Sequence, residues 1–305
     1  MAAAPGSLGS AADTAPVGFV DCHAHVYDTA RYPFDASSGF DLAANEVGSA
    51  EQFACVLDAH GFTHGLLVNP LGGYGTENAC LADVLGRFGG RFKGVAVMAH
   101  DAPEAEYERL ARAGVIGTRF NLNFEASPSL HAPGARRSLA LARRHGWFAQ
   151  VHYQGDTLVR ALPVLLDAGL PIVVDHCGRP DAAAGLQQPG FQALLALGRQ
   201  GNAVVKLSGA FRFGNGFPHT DADRYAAALI DAFTLDRCVW GSDWPFLHAT
   251  ERTDHATLLQ ALHRWLPDAA DRRRVLTDNP VRLFGFAPRA VGPTPSIDHH
   301  ESSTR

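Results

Sequence analysis

The chain has 305 residues, a formal net charge of −5 and a hydrophobic fraction of 46%. The length exceeds that of an ordinary domain, but a single α/β barrel commonly contains about 250 residues or more. The acidic charge balance lacks the basic footprint of proteins that bind nucleic acid or an anionic membrane. No apolar run approaches the roughly 18 residues that a membrane-spanning helix needs. We therefore expect a soluble protein that acts on small molecules, without nucleic-acid or membrane partners, and we leave open whether it forms a homo-oligomer.

The two ends of the chain differ in composition from the segment between them. Residues 1–16 are rich in Ala, Gly and Ser and lack the basic start and apolar block of a signal peptide, so we predict a disordered leader. Residues 291–305 are polar and contain proline, and we predict a disordered tail. The five cysteines form no Cys-x-x-Cys pair, which favours reduced, mostly buried thiols and a cytoplasmic location.

Eight short apolar runs alternate with helical patterns between residues 17 and 290. In chain order the runs are 18–20, 65–68, 94–98, 115–120, 147–152, 171–176, 203–208 and 238–243. Apolar strands that alternate with helices predict a parallel sheet covered on both faces. Eight such units predict the α/β class and a single-domain, eight-stranded (β/α)8 TIM barrel. An open doubly wound sheet is the alternative, although no G-x-G-x-x-G or Walker A pattern follows a strand.

Histidine, arginine and aspartate recur where these apolar runs end. The polar residues at these ends are His23, His25, Asn69, His100, Arg119, His152, His176, Ser208 and Asp243. In a barrel the carboxyl ends of the strands surround one mouth, whereas residues that only cap helices would be Asp, Asn, Ser or Thr. His23 and His25 lie two residues apart on an extended strand and point to the same side. Two converging imidazoles suit a divalent metal such as zinc, or the polarisation of a carbonyl group.

Four sequence blocks and a closing segment together cover about residues 18–287. They are VDCHAH at 20–25, GTRFN at 117–121, PIVVDHCGRP at 171–180, VWGSDWP at 239–245 and DNPVRLFGF at 278–286. In these blocks the chain resembles the amidohydrolase-2 group of the amidohydrolase superfamily, which includes hydrolases of pyrone dicarboxylates, sulfomuconolactones and sugar lactones. The resemblance implies a hydrolase that opens a lactone of a small carboxylated or sugar-acid substrate.

The same resemblance implies roles for the residues at the mouth. His23, His25, His152 and Asp243 would hold one zinc ion and leave a position open for water. Asp243 would be the general base, and His176 would act as electrophile or acid. A metal-free mechanism stays open, in which His23, His25 and His176 donate hydrogen bonds to the developing oxyanion.

Four residues are candidates for substrate binding. The guanidinium groups of Arg119 and Arg212 suit a substrate carboxylate, and Tyr74 and Asn78 follow the second strand. Where pyrone dicarboxylate lactonases have a second arginine after the fourth strand, this chain has Glu125. The departure makes a substrate with two carboxylates a poor fit and favours one carboxylate, a sulfonate or a sugar lactone.

Several further side chains receive interpretations that the structure can test. Lys206 is expected to be a buried ion-pair partner, and Arg179 to pair with an acidic neighbour in the loop after the sixth strand. Trp244 is interpreted as part of the pocket wall, and His255 as a surface or helix-capping residue.

Three other functions remain as alternatives. The amidohydrolase-2 group also contains metal-dependent decarboxylases with a similar histidine and aspartate site, and lactone isomerases that move an acyl group between hydroxyls. A barrel that binds a ligand without catalysis is the alternative from a different class. The reaction products discriminate among them, because only hydrolysis yields a ring-opened hydroxy acid with release of a proton.

Overall fold

The computed structural model describes residues 14–34 and 40–290 and contains one sheet of eight parallel strands. The strands are β1 (Phe19–Ala24), β2 (Phe62–Val68), β3 (Phe92–Ala96), β4 (Val115–Asn121), β5 (Phe148–His152), β6 (Ile172–Val174), β7 (Ala203–Lys206) and β8 (Cys238–Val239). Each strand pairs in parallel with the next strand along the chain. The predicted (β/α)8 barrel is therefore confirmed.

Helices separate the strands and cover the outside of the sheet. The helices that follow the strands are α1 (Ala50–Ala59), α2 (Ala79–Arg87), α3 (Glu104–Ala113), α4 (Ala135–Arg144), α5 (Thr157–Ala168), α6 (Pro189–Gln200), α7 (Asp223–Phe233) and α8 (His255–Trp265). Two shorter helices, α9 (Ala269–Arg273) and α10 (Asn279–Phe284), come after the last unit. Within the described ranges, none of these helices has the length and apolarity to cross a membrane.

The first and last described residues meet outside the barrel. Thr14–Ala15 pairs antiparallel with Arg289–Ala290 in a two-stranded ribbon. The rest of the predicted leader and all of the predicted tail lie outside the described residues. All five cysteines are free thiols, and only Cys55 among them is exposed.

Two layers of apolar side chains hold the barrel together. Along β6, Ile172 and Val174 belong to the large core between sheet and helices, whereas Val173 belongs to a smaller core. Because neighbouring residues of a strand point to opposite faces, the smaller core fills the inside of the barrel. It ends on Phe284 and Phe286, so the segment after the last unit packs against the barrel interior.

The barrel closes where β1 meets the segment that follows β8. The amide of Cys22 donates to the carbonyl of Trp240 at 2.8 Å, and the amide of Asp243 donates to the carbonyl of His23 at 2.8 Å. The buried carboxylate of Asp21 accepts from the amides of His23 and Ser242 at 3.1 and 2.9 Å. These bonds fix the backbone of His23 relative to that of Asp243.

Gly241 allows this close approach because it lacks a side chain. A Cβ at Gly241 would lie 2.6 Å from the backbone nitrogen of His23, closer than packed atoms come. We expect Gly241→Ala to lower the free energy of unfolding by about 1–3 kcal/mol, as overpacking does, measured by urea denaturation.

A matched control lies in α2. A Cβ at Gly86 would meet no atom within 4 Å, so Gly86→Ala should raise the stability by up to about 1 kcal/mol through helix propensity. Equal stability of Gly241→Ala and the unchanged protein would contradict the tight seam between β1 and the segment after β8.

Candidate active site

The carboxyl ends of the strands surround a cavity of about 290 Å³. The side chains of interest in its lining are His25, Arg119, His152, His176, Arg179, Arg212 and Asp243. His23 has no exposed surface and lies against this group, with its ring centroid 4.5 Å from that of His176. The five residues that the sequence places at one mouth, four histidines and Asp243, are thus gathered at one site.

The two histidines of β1 and its extension converge through their Nε2 atoms, which are 3.3 Å apart. His25 donates its Nδ1 proton to the carbonyl of Val68 at 2.8 Å, because a carbonyl can only accept. The Nε2 of neutral His25 therefore carries a lone pair that faces into the cavity. His23 Nδ1 lies 3.2 Å from Asp175 Oδ1 and 3.1 Å from Lys206 Nζ, so it has both an acceptor and a donor beside it.

Asp243 presents one carboxylate oxygen to these imidazoles. Its Oδ1 is 3.7 Å from the Nε2 atoms of both His23 and His25, and it is buried without a hydrogen-bond partner. Its Oδ2 accepts from Arg212 Nε and lies 3.5 Å from His176 Nε2. The backbone of Asp243 has a φ of 63°, an uncommon conformation for a residue with a side chain, typical of functional positions.

Three of these atoms fit the requirements of a metal ion. Two nitrogen ligands at about 2.0–2.1 Å from a tetrahedral zinc would be about 3.3–3.4 Å apart, and the Nε2 atoms of His23 and His25 are 3.3 Å apart. The unpaired Oδ1 of Asp243 supplies a third donor. With His23 Nδ1–H donated to Asp175, both Nε2 lone pairs would point at the ion, the arrangement in which outer partners orient metal-ligating imidazoles.

His176 completes the inner surface of the cavity. Its Nδ1 contacts Ser208 Oγ at 3.0 Å, which leaves Nε2 beside Asp243. Gly209 has a φ of 71°, and a Cβ there would lie 2.7 Å from Cβ of His176. A glycine at this position therefore lets the His176 ring sit against the chain that follows β7.

The contacts of His152 are not those expected for the fourth metal ligand. Its Nδ1 lies 3.2 Å from Arg119 Nη2 and its Nε2 lies 3.2 Å from Arg179 Nη1. Both ring nitrogens face guanidinium groups, so His152 could bind a metal ion only if one arginine released it. The structure instead places His152 between the two arginines at the side of the cavity.

A buried carboxylate connects the site residues from below. Asp175 Oδ1 faces His23 Nδ1 and Lys206 Nζ, both at 3.2 Å. Its Oδ2 accepts from Gln150 Nε2 at 3.1 Å and from Arg119 Nε at 3.3 Å. Lys206 is fully buried and is the ion-pair partner that the sequence predicts.

The electrostatic environment keeps the imidazoles neutral. Burial lowers the pKa of His25 to about 3, with Arg119 adding to the effect. Burial and Lys206 lower the pKa of His23, while burial and Arg119 lower that of His152. Neutral imidazoles offer lone pairs to a metal ion, and an imidazole whose N–H is not already bonded to the protein can donate it to an oxyanion.

The two carboxylates of the site shift in opposite directions. Burial raises the pKa of Asp243, although Arg212 opposes the shift. Burial would also raise the pKa of Asp175, but Lys206 and His23 outweigh it and hold that pKa well below its usual value. Asp175 is therefore a permanent anion, and Asp243 is the carboxylate better suited to accept a proton.

Tyr74 and Asn78, two of the predicted substrate contacts, do not belong to the lining of the cavity that contains Asp243. The Tyr74 hydroxyl accepts from the amide of Asp28 at 3.0 Å, and its ring borders a neighbouring cavity. Asn78 bonds through its side chain to the backbone of Thr76 and Val97, at 2.8 Å and at 2.9–3.0 Å. Its amide is thus committed to holding two loops together.

The chain matches the model of the amidohydrolase family over residues 20–286. It belongs to this family. A 4-sulfomuconolactone hydrolase from Rhizobium radiobacter is 31% identical over 302 residues, which cover 93% of this chain and 98% of that protein. A 2-pyrone-4,6-dicarboxylate hydrolase from Comamonas testosteroni is 27% identical, with coverage of 88% and 90%. A solved structure from Pseudomonas putida, assigned as a 2-pyrone-4,6-dicarboxylic acid hydrolase, has a TM-score of 0.80 and 33% identity, with coverage of 88% and 98%.

Three predictions from the sequence, each about the surroundings of one side chain of this amidohydrolase, were wrong. Arg179 contacts His152 in the cavity, and within the described residues it forms no ion pair with an acidic side chain. His255 is buried, with its Nε2 3.3 Å from Asp21 Oδ2. The Trp244 ring stacks on Phe53 at 5.2 Å and borders a different cavity from the one that contains Asp243.

We expect Asp175→Asn to destabilise this amidohydrolase strongly. The substitution leaves the charges of Lys206 and Arg119 buried without their shared carboxylate, a loss of about 3–5 kcal/mol. The free energy of unfolding from urea titration measures it.

Glu104→Gln is the control, because the ion pair of Glu104 with Arg144 is exposed and should contribute less than about 1 kcal/mol. Similar losses for the two variants would contradict the role of Asp175 in holding the site.

Proposed function

We propose that this amidohydrolase opens a lactone of a small anionic substrate by attack of water, with Asp243 as the general base. The observation that carries the proposal is the buried, unpaired Oδ1 of Asp243 facing two imidazole Nε2 atoms at 3.7 Å. A carboxylate with raised pKa beside neutral imidazoles suits proton transfer from water.

The residues divide the reaction between them. Asp243 takes a proton from the water molecule as the water oxygen bonds to the carbonyl carbon. His176 Nε2 lies beside the same carboxylate and is placed to donate to the carbonyl oxygen as negative charge develops there, a contribution of about 3–4 kcal/mol for a well-placed donor. The ester C–O bond then breaks, the leaving oxygen takes the proton from Asp243, and the product is a hydroxy acid.

We assign the metal position to His23, His25 and Asp243, and we keep zinc as the ion. When bound, zinc would lower the pKa of water and polarise the carbonyl group. His152 is left out of the metal position because both of its ring nitrogens face guanidinium groups. His176 stands beside the metal position as the hydrogen-bond donor, with its ligand atom within 4.8 Å of those of His23 and Asp243. The metal-free mechanism uses His176 and His23 as hydrogen-bond donors, with His23 Nδ1 accepting from Lys206, whereas the N–H of His25 is already bonded to the carbonyl of Val68.

The charge of the cavity supports an anionic substrate. Four cationic side chains, of Arg119, Arg179, Arg212 and Lys206, are grouped with two carboxylates. The excess of positive charge favours an anionic ligand. Arg119 and Arg212 remain the proposed carboxylate contacts, and Arg179 adds a third guanidinium group to the lining of the cavity. Tyr74 and Asn78 stay in the proposal only as outer supports of the neighbouring loops.

The cytoplasmic location and the absence of nucleic-acid and membrane partners remain predictions from composition. The homo-oligomeric state remains open as well. None of these affects the chemistry proposed for the cavity.

We expect Asp243→Asn to lower kcat for lactone hydrolysis at least about 100-fold, since it removes the base. The measurement is proton release from a panel of muconolactones and aldonolactones, with circular dichroism as the check on folding. Asp101→Asn, at an exposed loop position, should leave turnover unchanged. Retained turnover in Asp243→Asn would reject the assignment, and carbon dioxide or a rearranged lactone as product would favour the decarboxylase or the isomerase.

We expect His25→Ala to lower the zinc content of purified protein from about one ion per chain to near zero, because it removes one of three donors. Elemental analysis by mass spectrometry measures it, with His263→Ala as a control at an exposed position of α8. Full zinc content in His25→Ala would contradict the metal position. Zinc-free but fully active unchanged protein would support the metal-free mechanism.

A further inference from the structure

A second cavity, of about 670 Å³, adjoins the active site. The two cavities share the residues Phe40, Leu71, Gly72 and Phe124 in their linings. These four residues form the described boundary between the two cavities.

The second cavity is built from aromatic rings on glycine backbone. Phe34 packs edge-on against Tyr74 and Phe40, with ring centroids 5.2 and 5.7 Å apart. A Cβ at Gly72 would lie 2.3 Å from the Phe40 ring, and one at Gly73 would lie 2.6 Å from the Phe34 ring. The two glycines let the rings lie directly on the loop after β2, which gives the cavity a flat apolar wall.

Phe124 marks the border between the cavities and is 44% exposed. The active-site lining contains the guanidinium groups of three arginines, whereas the lining of the second cavity contains the rings of Phe34 and Tyr74. An exposed phenylalanine next to a reactive centre offers apolar surface that a ligand can cover, as in binding pockets that combine apolar walls with a few polar groups.

The charges of the two cavities differ in sign. Arg119, Arg179 and Arg212 line the active site, and Glu77 is the charged residue among the described lining of the second cavity. An anionic group is therefore attracted to the first cavity and disfavoured in the second.

We infer that the aromatic cavity is a subsite for an uncharged aryl or alkyl substituent on the lactone. This inference rests on the proposed function, and it narrows the substrate class to amphipathic lactones. The anionic group lies at the guanidinium groups, the ester carbonyl lies at Asp243, and the apolar substituent passes Phe124 to reach Phe34 and Phe40.

The test compares two synthetic lactones that carry the same carboxylate, one with a phenyl substituent and one without. We expect the phenyl-substituted lactone to have a kcat/KM about tenfold higher or more, the discrimination that a hydrophobic pocket gives. Phe124→Ala should lower the ratio of the two kcat/KM values several-fold, and Gly72→Ala should lower it by displacing the Phe40 ring.

Phe217→Ala is the matched control, because Phe217 is 57% exposed and does not belong to the described lining of either cavity. Both kcat/KM values should stay unchanged in this variant. Circular dichroism reports whether each variant is folded. Gly72→Ala and Phe124→Ala serve as independent probes of the same cavity wall.

Equal kcat/KM values for the two lactones, or a ratio that Phe124→Ala and Gly72→Ala leave unaltered, would overturn the subsite while the hydrolase assignment stands. Turnover of neither lactone would count against the proposed function instead. In that case calorimetric binding of the two ring-opened hydroxy acids tests the subsite separately: tighter binding of the phenyl compound, weakened in Phe124→Ala, supports it, and equal affinities reject it.

Discussion

A single buried carboxylate ties the catalytic end of the barrel together. Asp175 follows β6 and bonds to side chains from four other strands, β1, β4, β5 and β7, through His23, Arg119, Gln150 and Lys206. Because unpaired charges in a low-dielectric interior are costly, the network has little freedom to rearrange. The ring of His23 and the guanidinium group of Arg119 are therefore held in place before a substrate arrives, which is the condition for electrostatic catalysis.

The fold could be predicted because each strand and helix has a local pattern that does not depend on distant contacts. The segment 171–174 is apolar throughout, since both faces of a strand in a barrel are buried, and eight runs of this kind allow few architectures. The gathering of His23, His176 and Asp243 followed from the same rule, because strand ends meet at one mouth. Family membership then agreed with these positions.

The sequence could not specify which neighbours each side chain meets across the barrel. The resemblance implies a metal ligand at His152 from its position at the end of β5, but its side-chain partners are Arg119 on β4 and Arg179 in the loop after β6. His255 lies at the start of a helix, where solvent exposure is common, and only the packed structure places its ring beside Asp21. Both cases concern the direction of a side chain and its long-range partner, and the local sequence pattern contains neither.

The rings of His23 and His25 are oriented by chemically different partners. His25 relies on the main-chain carbonyl of Val68, which every amino acid at that position would supply. His23 relies on the side chains of Asp175 and Lys206, which a single nucleotide change could remove. Substitutions at Asp175 or Lys206 can therefore change which nitrogen of His23 carries the proton, whereas the orientation of His25 does not depend on a side chain. If related proteins differ in metal dependence, we expect the differences to begin with the partners of His23.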